Sequence, residues 1–298
     1  MNKNEEIKWL EPKLFESDYK IIILPDTQNI IERFPKLYLN MMKWIKNNKD
    51  KINIIAVLHM GDIVNTNTEE QWGIAKEGYE YLNDTNISYM PMMGNHDDSI
   101  MFNKYFDYNT YGTSKSYFGG SFEKDKLDYC YWHINAPDTQ YLVLSLGWAP
   151  SIEVINWAKM IIEMNKDKYI IFTTHAYMHR HNRLLKKEDQ FAITSYPSLE
   201  NNLEGNEIWD IFSKYENVIL GLSGHISCMD LSKYTVNNIP SLLFDNQDMD
   251  KKEQLGMLGI LSFNNNSNII GVNWYSSNLN MLYRKQNQFQ VNLKNKLI

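Results

Sequence analysis

Short apolar runs separated by amphipathic stretches fill the first two thirds of the chain. The runs Tyr19–Leu24, Ile54–Leu58 and Tyr169–Thr173 are almost continuously apolar, which is typical of strands buried on both faces of a parallel sheet. Residues 36–47 and 69–82 instead carry apolar side chains at a helical spacing. The last third alternates short apolar runs with Asn-rich turns. Strands that alternate with helices in this way predict an α/β fold.

Further elements follow from the same pattern. Apolar runs predict strands at 87–93, 127–134, 140–146 and 218–222, and amphipathic stretches predict helices at 151–165 and 207–215. Ser151 stands at the expected N-cap of its helix. Residues 1–18 are polar and mixed, and we expect an N-terminal arm on the surface. No linker or repeat interrupts the rest, so residues 19–298 are predicted to form a single domain.

Polar side chains able to bind a metal follow five of the predicted strands. Open α/β sheets bind ligands at the carboxyl ends of their strands, so these side chains are expected to face one crevice. Each one alone is equally compatible with a turn or a helix cap, but together they indicate a shared site. They are Asp26 and Gln28, Asp62, Asn95 and His96, His175, and His225.

The donor types in this set indicate a divalent metal. Carboxylate, amide oxygen and imidazole suit Mn²⁺, Fe or Zn²⁺, and the absence of cysteine argues against a structural zinc knuckle. Two ions about 3.5–4 Å apart clamp an in-line displacement at phosphorus, and such a pair needs a shared carboxylate. Asp62 follows Gly61, which permits a sharp turn after the strand, so Asp62 is the candidate bridge.

Composition and the N-terminal residues limit the classes of binding partner and the cellular compartment that the sequence predicts. The formal net charge is −6, and a mildly acidic chain is a poor partner for a nucleic-acid polymer. Two cysteines, Cys130 and Cys228, are predicted to be reduced core thiols, with one disulfide as the alternative. No apolar run approaches the length of a membrane span. Residues 1–8 lack a signal-peptide core, which predicts a cytoplasmic protein, although a mature secreted form would look the same.

The order of these motifs resembles the calcineurin-like metallophosphoesterase superfamily. The resemblance rests on residues 26–28, 61–65, 94–97, His175 and 224–225, and it spans most of the chain. The stretch Pro25–Gln28 is similar to the first motif of one bacterial branch. The resemblance implies an α/β fold that is a four-layer α/β/β/α sandwich, with two mixed sheets flanked by helices.

The resemblance also implies a role for each candidate residue. Asp62 would bridge two divalent ions, Asp26 and Gln28 would hold the first, and Asn95, His175 and His225 would hold the second. His96 would not ligate a metal; it would stabilise or protonate the leaving oxygen, and Asp97 would orient it.

Two positions depart from the superfamily pattern. Gln28 and Ser227 stand where many members have histidine. An amide oxygen binds a transition metal less strongly than imidazole, and a serine hydroxyl is a poor ligand. The first metal site is therefore expected to be weaker than the second and to empty on purification, with Mn²⁺ as the favoured ion.

The function that this pattern favours is hydrolysis of a phosphate monoester or diester by a metal-activated hydroxide. The alternatives are a single-metal member of the fold and a non-catalytic binding module. The polar stretch 179–183, which includes Arg180 and Arg183, is either a solvated loop or a phosphate contact. The substrate is a phosphorylated compound of unassigned class, and the oligomeric state stays open.

Overall fold

Strands supply most of the regular structure in this computed structural model, which describes residues 8–137, 139–250, 253–265 and 267–294. The strands are β1 Trp9–Leu10, β2 Tyr19–Leu24, β3 Ile54–His59, β4 Ser88–Met90, β5 Phe118–Ser121, β6 Cys130–Asn135, β7 Gln140–Ser145, β8 Tyr169–Thr173, β9 Met178–His179, β10 Arg183–Leu184, β11 Val218–Ser223, β12 Ser232–Val236, β13 Ile239–Leu243, β14 Met257–Phe263, β15 Ile269–Ser276, β16 Met281–Tyr283 and β17 Phe289–Asn292.

Helices connect and cover these strands. The α-helices are α1 Gln28–Arg33, α2 Pro35–Asn48, α3 Glu69–Glu80, α4 Ser99–Tyr105, α5 Ile152–Met164, α6 Gly205–Phe212 and α7 Gln247–Asp250. Their starts follow ordinary capping chemistry: the Ser151 and Thr68 side chains accept the N–H groups of Val154 and Gln71. Proline opens α2, where its missing N–H costs nothing.

Two mixed sheets face each other. The first has the order β1-β16-β15-β14-β2-β3-β4, with β17 paired to β15. The second has the order β12-β13-β11-β8-β7-β6-β5. Strands β2, β3 and β4 are parallel in the first sheet, and β7, β8, β11 and β13 are parallel in the second. The carboxyl ends of these parallel strands supply the loops that form the site.

Alternating side chains of the second sheet build two separate cores. Along β7, Val143 lies in the core between the sheets, while Leu142 and Leu144 lie in the core beneath α5 and α6. On the far side, α2 packs on the first sheet, with the Trp44 and Tyr275 rings 4.9 Å apart. The predicted α/β sandwich of two mixed sheets flanked by helices is confirmed.

The predicted strand bounds agree best for the runs that are almost continuously apolar. The first strand and the strand at Tyr169–Thr173 have their predicted bounds, whereas β4 is shorter than predicted, at Ser88–Met90. The pattern missed α1, which begins at Gln28 directly after the strand-end loop. The division into an arm and one domain stays a prediction; within the described part of residues 1–18, β1 pairs with β16, and residues 1–7 and 295–298 lie outside the description.

Two smaller expectations concern the cysteines and membrane spans, and one aromatic loop adds to the core. Cys130 and Cys228 are buried and unpaired, as predicted. Within the described ranges, no helix is long and apolar enough to cross a membrane. The aromatic residues after α4 pin a loop to the core, because Phe106 and Tyr111 are buried with their rings 5.0 Å apart, edge to face.

Candidate metal centre

The predicted metal ligands lie at the ends of strands from both sheets. Asp26, Asp62 and Asn95 follow β2, β3 and β4 of the first sheet, whereas His175 and His225 follow β8 and β11 of the second. Because both sheets end at this point, their loops meet above the gap between them. The site therefore straddles the two sheets.

The ligands predicted for the second metal are close together. The candidate ligand atoms of Asp62, His175 and His225 all lie within 4.8 Å of one another, and all three side chains are buried. The Nε2 atom of His175 is 3.2 Å from Asp62 Oδ1 and 3.0 Å from Asn95 Oδ1. This convergence of two imidazoles with carboxylate and amide oxygens fits a divalent cation.

Hydrogen bonds set the tautomer of His175 for metal binding. Its Nδ1 lies 2.7 Å from the carbonyl oxygen of Met60, and a carbonyl only accepts, so Nδ1 carries the proton. Its Nε2 then faces the oxygens of Asp62 and Asn95, which are acceptors as well. Burial lowers the pKa of His175, but the adjacent Asp62 carboxylate outweighs that effect and leaves the pKa raised. A cation placed among these lone pairs would satisfy all three groups.

His225 is held in a form that can also bind a metal. Its Nε2 donates to the carbonyl oxygen of Phe191 over 2.9 Å, which leaves Nδ1 with its lone pair. Burial, together with neighbouring His175, lowers the pKa of His225 to about 4, so the imidazole is neutral near pH 7. Its φ of 72° lies in the left-handed region, a conformation that costs about 1–3 kcal/mol and is common at functional sites.

Asp62 contacts one candidate ligand from each predicted set, Gln28 and His175. Its Oδ1 accepts the His96 N–H over 2.9 Å and its Oδ2 accepts Gln28 Nε2 over 2.8 Å. Burial raises its pKa, but the charge and hydrogen bond of His175 outweigh this and hold the pKa well below its usual value. Gly61 before it has a φ of 93°, as its predicted turn requires, and Asp62 itself has a φ of 50°.

The first-metal candidates carry buried oxygens that lack a partner. Asp26 Oδ1 and Gln28 Oε1 have no hydrogen-bond partner among the described residues, and both side chains are at most 1% exposed. Asp26 Oδ2 accepts the backbone N–H of His225 over 3.0 Å. Burial, Asp245 and Asp62 raise the pKa of Asp26 well above its usual value. Buried oxygens without partners are costly, and a cation beside them would remove that cost.

One predicted contact is wrong, because Asp97 does not orient His96. The Asp97 carboxylate accepts the backbone N–H groups of Ile63, Val64 and Gly94 over 2.8–3.0 Å, and so joins the two loops that carry Asp62 and Asn95. Burial and the charge of Asp62 raise its pKa to about 7. His96 instead has its Nδ1 3.2 Å from the carbonyl oxygen of Asn65, which leaves Nε2 for the cleft.

Sequence reasoning did not assign Asp245 and Gln247 to the site. The Asp245 carboxylate accepts both the backbone N–H and the side-chain Nε2 of Gln247, and the Gln247 oxygen accepts Gln28 Nε2 over 3.0 Å. Burial raises the pKa of Asp245 to about 6. The two residues follow the buried strand β13, so the strand-end rule that found the other ligands would have found them too.

His59, which immediately precedes the site, is a buried structural histidine. Its Nε2 lies 3.1 Å from the carbonyl oxygen of Pro25, and its Nδ1 lies 3.0 Å from the hydroxyl of Tyr79. Burial lowers its pKa to about 3. Both ring nitrogens are used, so His59 braces the loop of Asp26 and is not a ligand.

The metal centre opens into a cavity of about 230 Å³ whose lining includes His96, Arg180, Tyr196 and Ser227. Arg180 is exposed there, and within the described part of the chain its one side-chain hydrogen bond is a long contact of 3.4 Å to the Ser227 carbonyl oxygen. Arg183 from the same polar stretch is instead paired with Asp189 through two contacts of 2.6 Å. The structure therefore separates the two arginines: Arg180 faces the cavity and Arg183 stabilises the loop.

The sequence matches the family of calcineurin-like phosphoesterases over residues 19–229. That span is more than half of the chain, and the chain belongs to this family. Membership supports metal-dependent phosphoesterase chemistry in general, and the buried Asp62–His175–His225 group is able to bind metal.

The known proteins that this chain resembles are either distant in sequence or much longer than this chain. The chain is 29% identical over 215 residues to the uncharacterized protein YvnB of Bacillus subtilis (strain 168), and the match covers 70% of this chain but only 15% of that protein. Among solved structures, purple acid phosphatase PPD1 from yellow lupin has a TM-score of 0.54 at 12% identity, covering 93% of this chain and 54% of that one. GAP50, described as the anchor in the inner membrane complex of Plasmodium, has a TM-score of 0.54 at 13% identity, covering 94% of this chain and 90% of that one. At these identities the two structures show the shared fold alone.

Proposed function

We propose that this chain hydrolyses a phosphate monoester or diester at a centre of two divalent metal ions. The observation that carries the proposal is the convergence of Asp62, His175 and His225 within 4.8 Å, with Asn95 Oδ1 3.0 Å from His175. A buried cluster of two imidazoles, a carboxylate and an amide fits a metal site better than a hydrophobic core. Family membership supports the same chemistry.

The residues divide between two ions. Asn95, His175 and His225 would hold one, Asp26 and Gln28 the other, and Asp62 would serve both. Bound divalent ions would supply Lewis acidity, which polarises phosphoryl oxygens and lowers the pKa of an attacking water. Mn²⁺ is the favoured ion, and the site of Asp26 and Gln28 is proposed to be the weaker.

Two side chains of the cavity would act directly on the substrate. His96 has its Nδ1 at the Asn65 carbonyl oxygen, so its Nε2 is left for the cavity and would donate to the leaving oxygen when both ring nitrogens carry a proton. Arg180 lines the same cavity and carries a planar guanidinium suited to a phosphate group. They line the same cavity as Asp62, Asn95 and His225, which supports a role in transition-state charge compensation.

The test is hydrolysis by protein treated with chelator and reloaded with defined metals. p-Nitrophenyl phosphate, bis-p-nitrophenyl phosphate and a nucleotide panel separate monoesterase from diesterase activity. We expect no activity without metal and recovery with Mn²⁺. Protein that binds metal at the histidine site and yet hydrolyses none of these esters would refute the proposal and favour the binding module.

The binding module is the second candidate. Ser227 stands where many relatives have a metal-binding histidine, and its hydroxyl accepts the backbone N–H of Asp248 over 3.3 Å. The similar fold of GAP50, described as an anchor, is a further reason to test catalysis directly. Retention of His96 and Asp62 favours the enzyme over the module.

A further inference from the structure

The amide of Gln28 is held in one orientation inside the protein. Its Nε2 donates to Asp62 Oδ2 over 2.8 Å and to Gln247 Oε1 over 3.0 Å. Its Oε1 is buried and has no hydrogen-bond partner among the described residues. A side chain this deeply buried would ordinarily turn its oxygen to a donor, so the orientation needs a cause.

Asp62 favours this orientation directly as an acceptor, and Asp245 reinforces it through Gln247. The Gln247 backbone N–H reaches Asp245 Oδ1 over 2.8 Å, and Gln247 Nε2 reaches Oδ2 over 2.9 Å. An ionised carboxylate only accepts, so Gln247 must turn its nitrogen to Asp245 and its oxygen to Gln28. Gln28 must then present its nitrogen to Gln247, and its oxygen is left free. We call Asp245, Gln247 and Gln28 the amide relay.

The remaining free donor atoms beside the relay are also oxygens. Asp26 Oδ1 is buried without a partner among the described residues, and Asp62 is bonded to Gln28 itself. The neighbouring nitrogen and sulfur donors are engaged: both ring nitrogens of His59 are bonded, and the Cys228 thiol donates to the Asp245 carbonyl oxygen over 3.2 Å. The two candidate imidazole ligands, His175 and His225, belong to the set predicted for the second metal.

We propose that the amide relay makes the first site an all-oxygen cation site, selective for a hard ion such as Mn²⁺ or Mg²⁺, beside a histidine site that prefers Zn²⁺ or Fe. Carboxylate and carbonyl oxygens suit Mg²⁺ and Mn²⁺, whereas imidazole suits Zn²⁺ and Fe. Asp245 and Gln247 are positioning residues in this scheme, because they act through Gln28. The inference rests on the proposed function, since it concerns the same metal centre.

Metal binding without turnover tests the selectivity. Chelator-treated full-length protein is loaded with one equivalent of Zn²⁺ and titrated with Mn²⁺, and free Mn²⁺ is measured by electron paramagnetic resonance. We expect one equivalent of Mn²⁺ to bind, Mg²⁺ to compete for it, and a second Zn²⁺ to bind at least about tenfold more weakly than the first. Gln28→His should strengthen the second Zn²⁺ and weaken Mn²⁺. Two Zn²⁺ ions bound with equal affinity by the wild type would overturn the proposal.

Gln247→Leu tests the relay itself. It should lower Mn²⁺ affinity by about 10–100-fold, as loss of an outer hydrogen-bond partner commonly does, and leave the first Zn²⁺ unchanged. Gln288→Leu is the matched control, because Gln288 is also half-buried, accepts an amide N–H from Asn273, and donates to carbonyls outside the site. Unchanged Mn²⁺ affinity in Gln247→Leu would overturn the relay.

A nearly isosteric variant covers the case in which Gln247→Leu does not fold. In Asp245→Asn the new amide nitrogen would face Gln247, which would then turn its oxygen to residue 245 and its nitrogen to Gln28. If Gln28 stays bonded to Asp62, its nitrogen would then meet the Gln247 nitrogen; if it flips, its oxygen would face the Asp62 carboxylate. Either outcome disturbs Gln28 Oε1, so Mn²⁺ affinity should fall by about 10–100-fold while Zn²⁺ affinity changes less. Equal losses for both ions would overturn the relay. Uptake of the first Zn²⁺ measures binding at the histidine site. Wild-type protein that binds no Zn²⁺ would count against the proposed function, whereas protein that binds Zn²⁺ but no Mn²⁺ would count against this inference alone.

Discussion

Replacing Gly94 by alanine tests how closely the two ligand loops must approach. A Cβ atom at Gly94 would lie 2.1 Å from Asp62 Oδ1 and 2.2 Å from the Asp62 backbone nitrogen. Real Cβ contacts essentially never fall below 3.0 Å, so the loops must separate by about 1 Å. Because one of the clashing atoms belongs to the backbone, rotation of the Asp62 side chain cannot relieve it.

A displacement of that size would move the carboxylate of Asp62, the proposed shared ligand. Asp62 Oδ1 is 3.2 Å from His175 Nε2. Asp97 accepts the Gly94 N–H over 2.8 Å and the N–H groups of Ile63 and Val64 over 3.0 Å, and so ties Gly94 to the Asp62 loop. Overpacking of this kind costs about 1–3 kcal/mol in the free energy of unfolding. Misplacement of a catalytic group by about 1 Å costs about 10²-fold in rate. We therefore expect Gly94→Ala to lose at least about 10²-fold in activity and to bind less metal than the wild type.

Gly73→Ala is the control. Gly73 lies inside α3, and a Cβ there would meet nothing within 4 Å, so the change should stabilise the helix by about 0.5–1 kcal/mol. Urea unfolding, metal content by mass spectrometry, and hydrolysis of bis-p-nitrophenyl phosphate compare the two variants. Folded Gly94→Ala protein with wild-type metal content and activity would refute the proposed packing of Gly94 against the bridging carboxylate.

Three further substitutions test individual roles. Asp62→Asn should sharply reduce metal content and activity, because one carboxylate serves two ions; retention of both metals with full turnover would contradict this. His96→Ala should keep its metal and lower kcat by about 10²–10⁴-fold, more for an alkyl ester than for p-nitrophenyl phosphate, whose leaving group hardly needs a proton; equal losses for both esters would point to phosphate positioning instead. Arg180→Ala should raise KM and the inhibition constant of inorganic phosphate about tenfold, the effect of one charged hydrogen bond at a cavity rim; unchanged constants would exclude the phosphate contact.

Strand-end position and ligand type could be predicted from local sequence. The β2 and β8 runs are almost continuously apolar, so their burial and their bounds could be predicted from the residue pattern alone. Side chains directly after such strands had to lie at the sheet edge, and this placed Asp62 and His175 correctly. The role of Asp97 could not be predicted, because its partners are backbone N–H groups of another loop, and a sequence shows no sign of which loops touch.

The sequence by itself determined the alternation of strand and helix, the chemistry of the donors and the residues that could carry it, because these depend on residue type and on periodicity along the chain. Only the tertiary structure decided that Asp62 of the first sheet meets His175 and His225 of the second within 4.8 Å. It also decided that Asp245 is buried and bonded to Gln247, which in turn is bonded to Gln28. Such contacts join residues up to 219 positions apart, and the packing of the two sheets, rather than any local preference, brings them together.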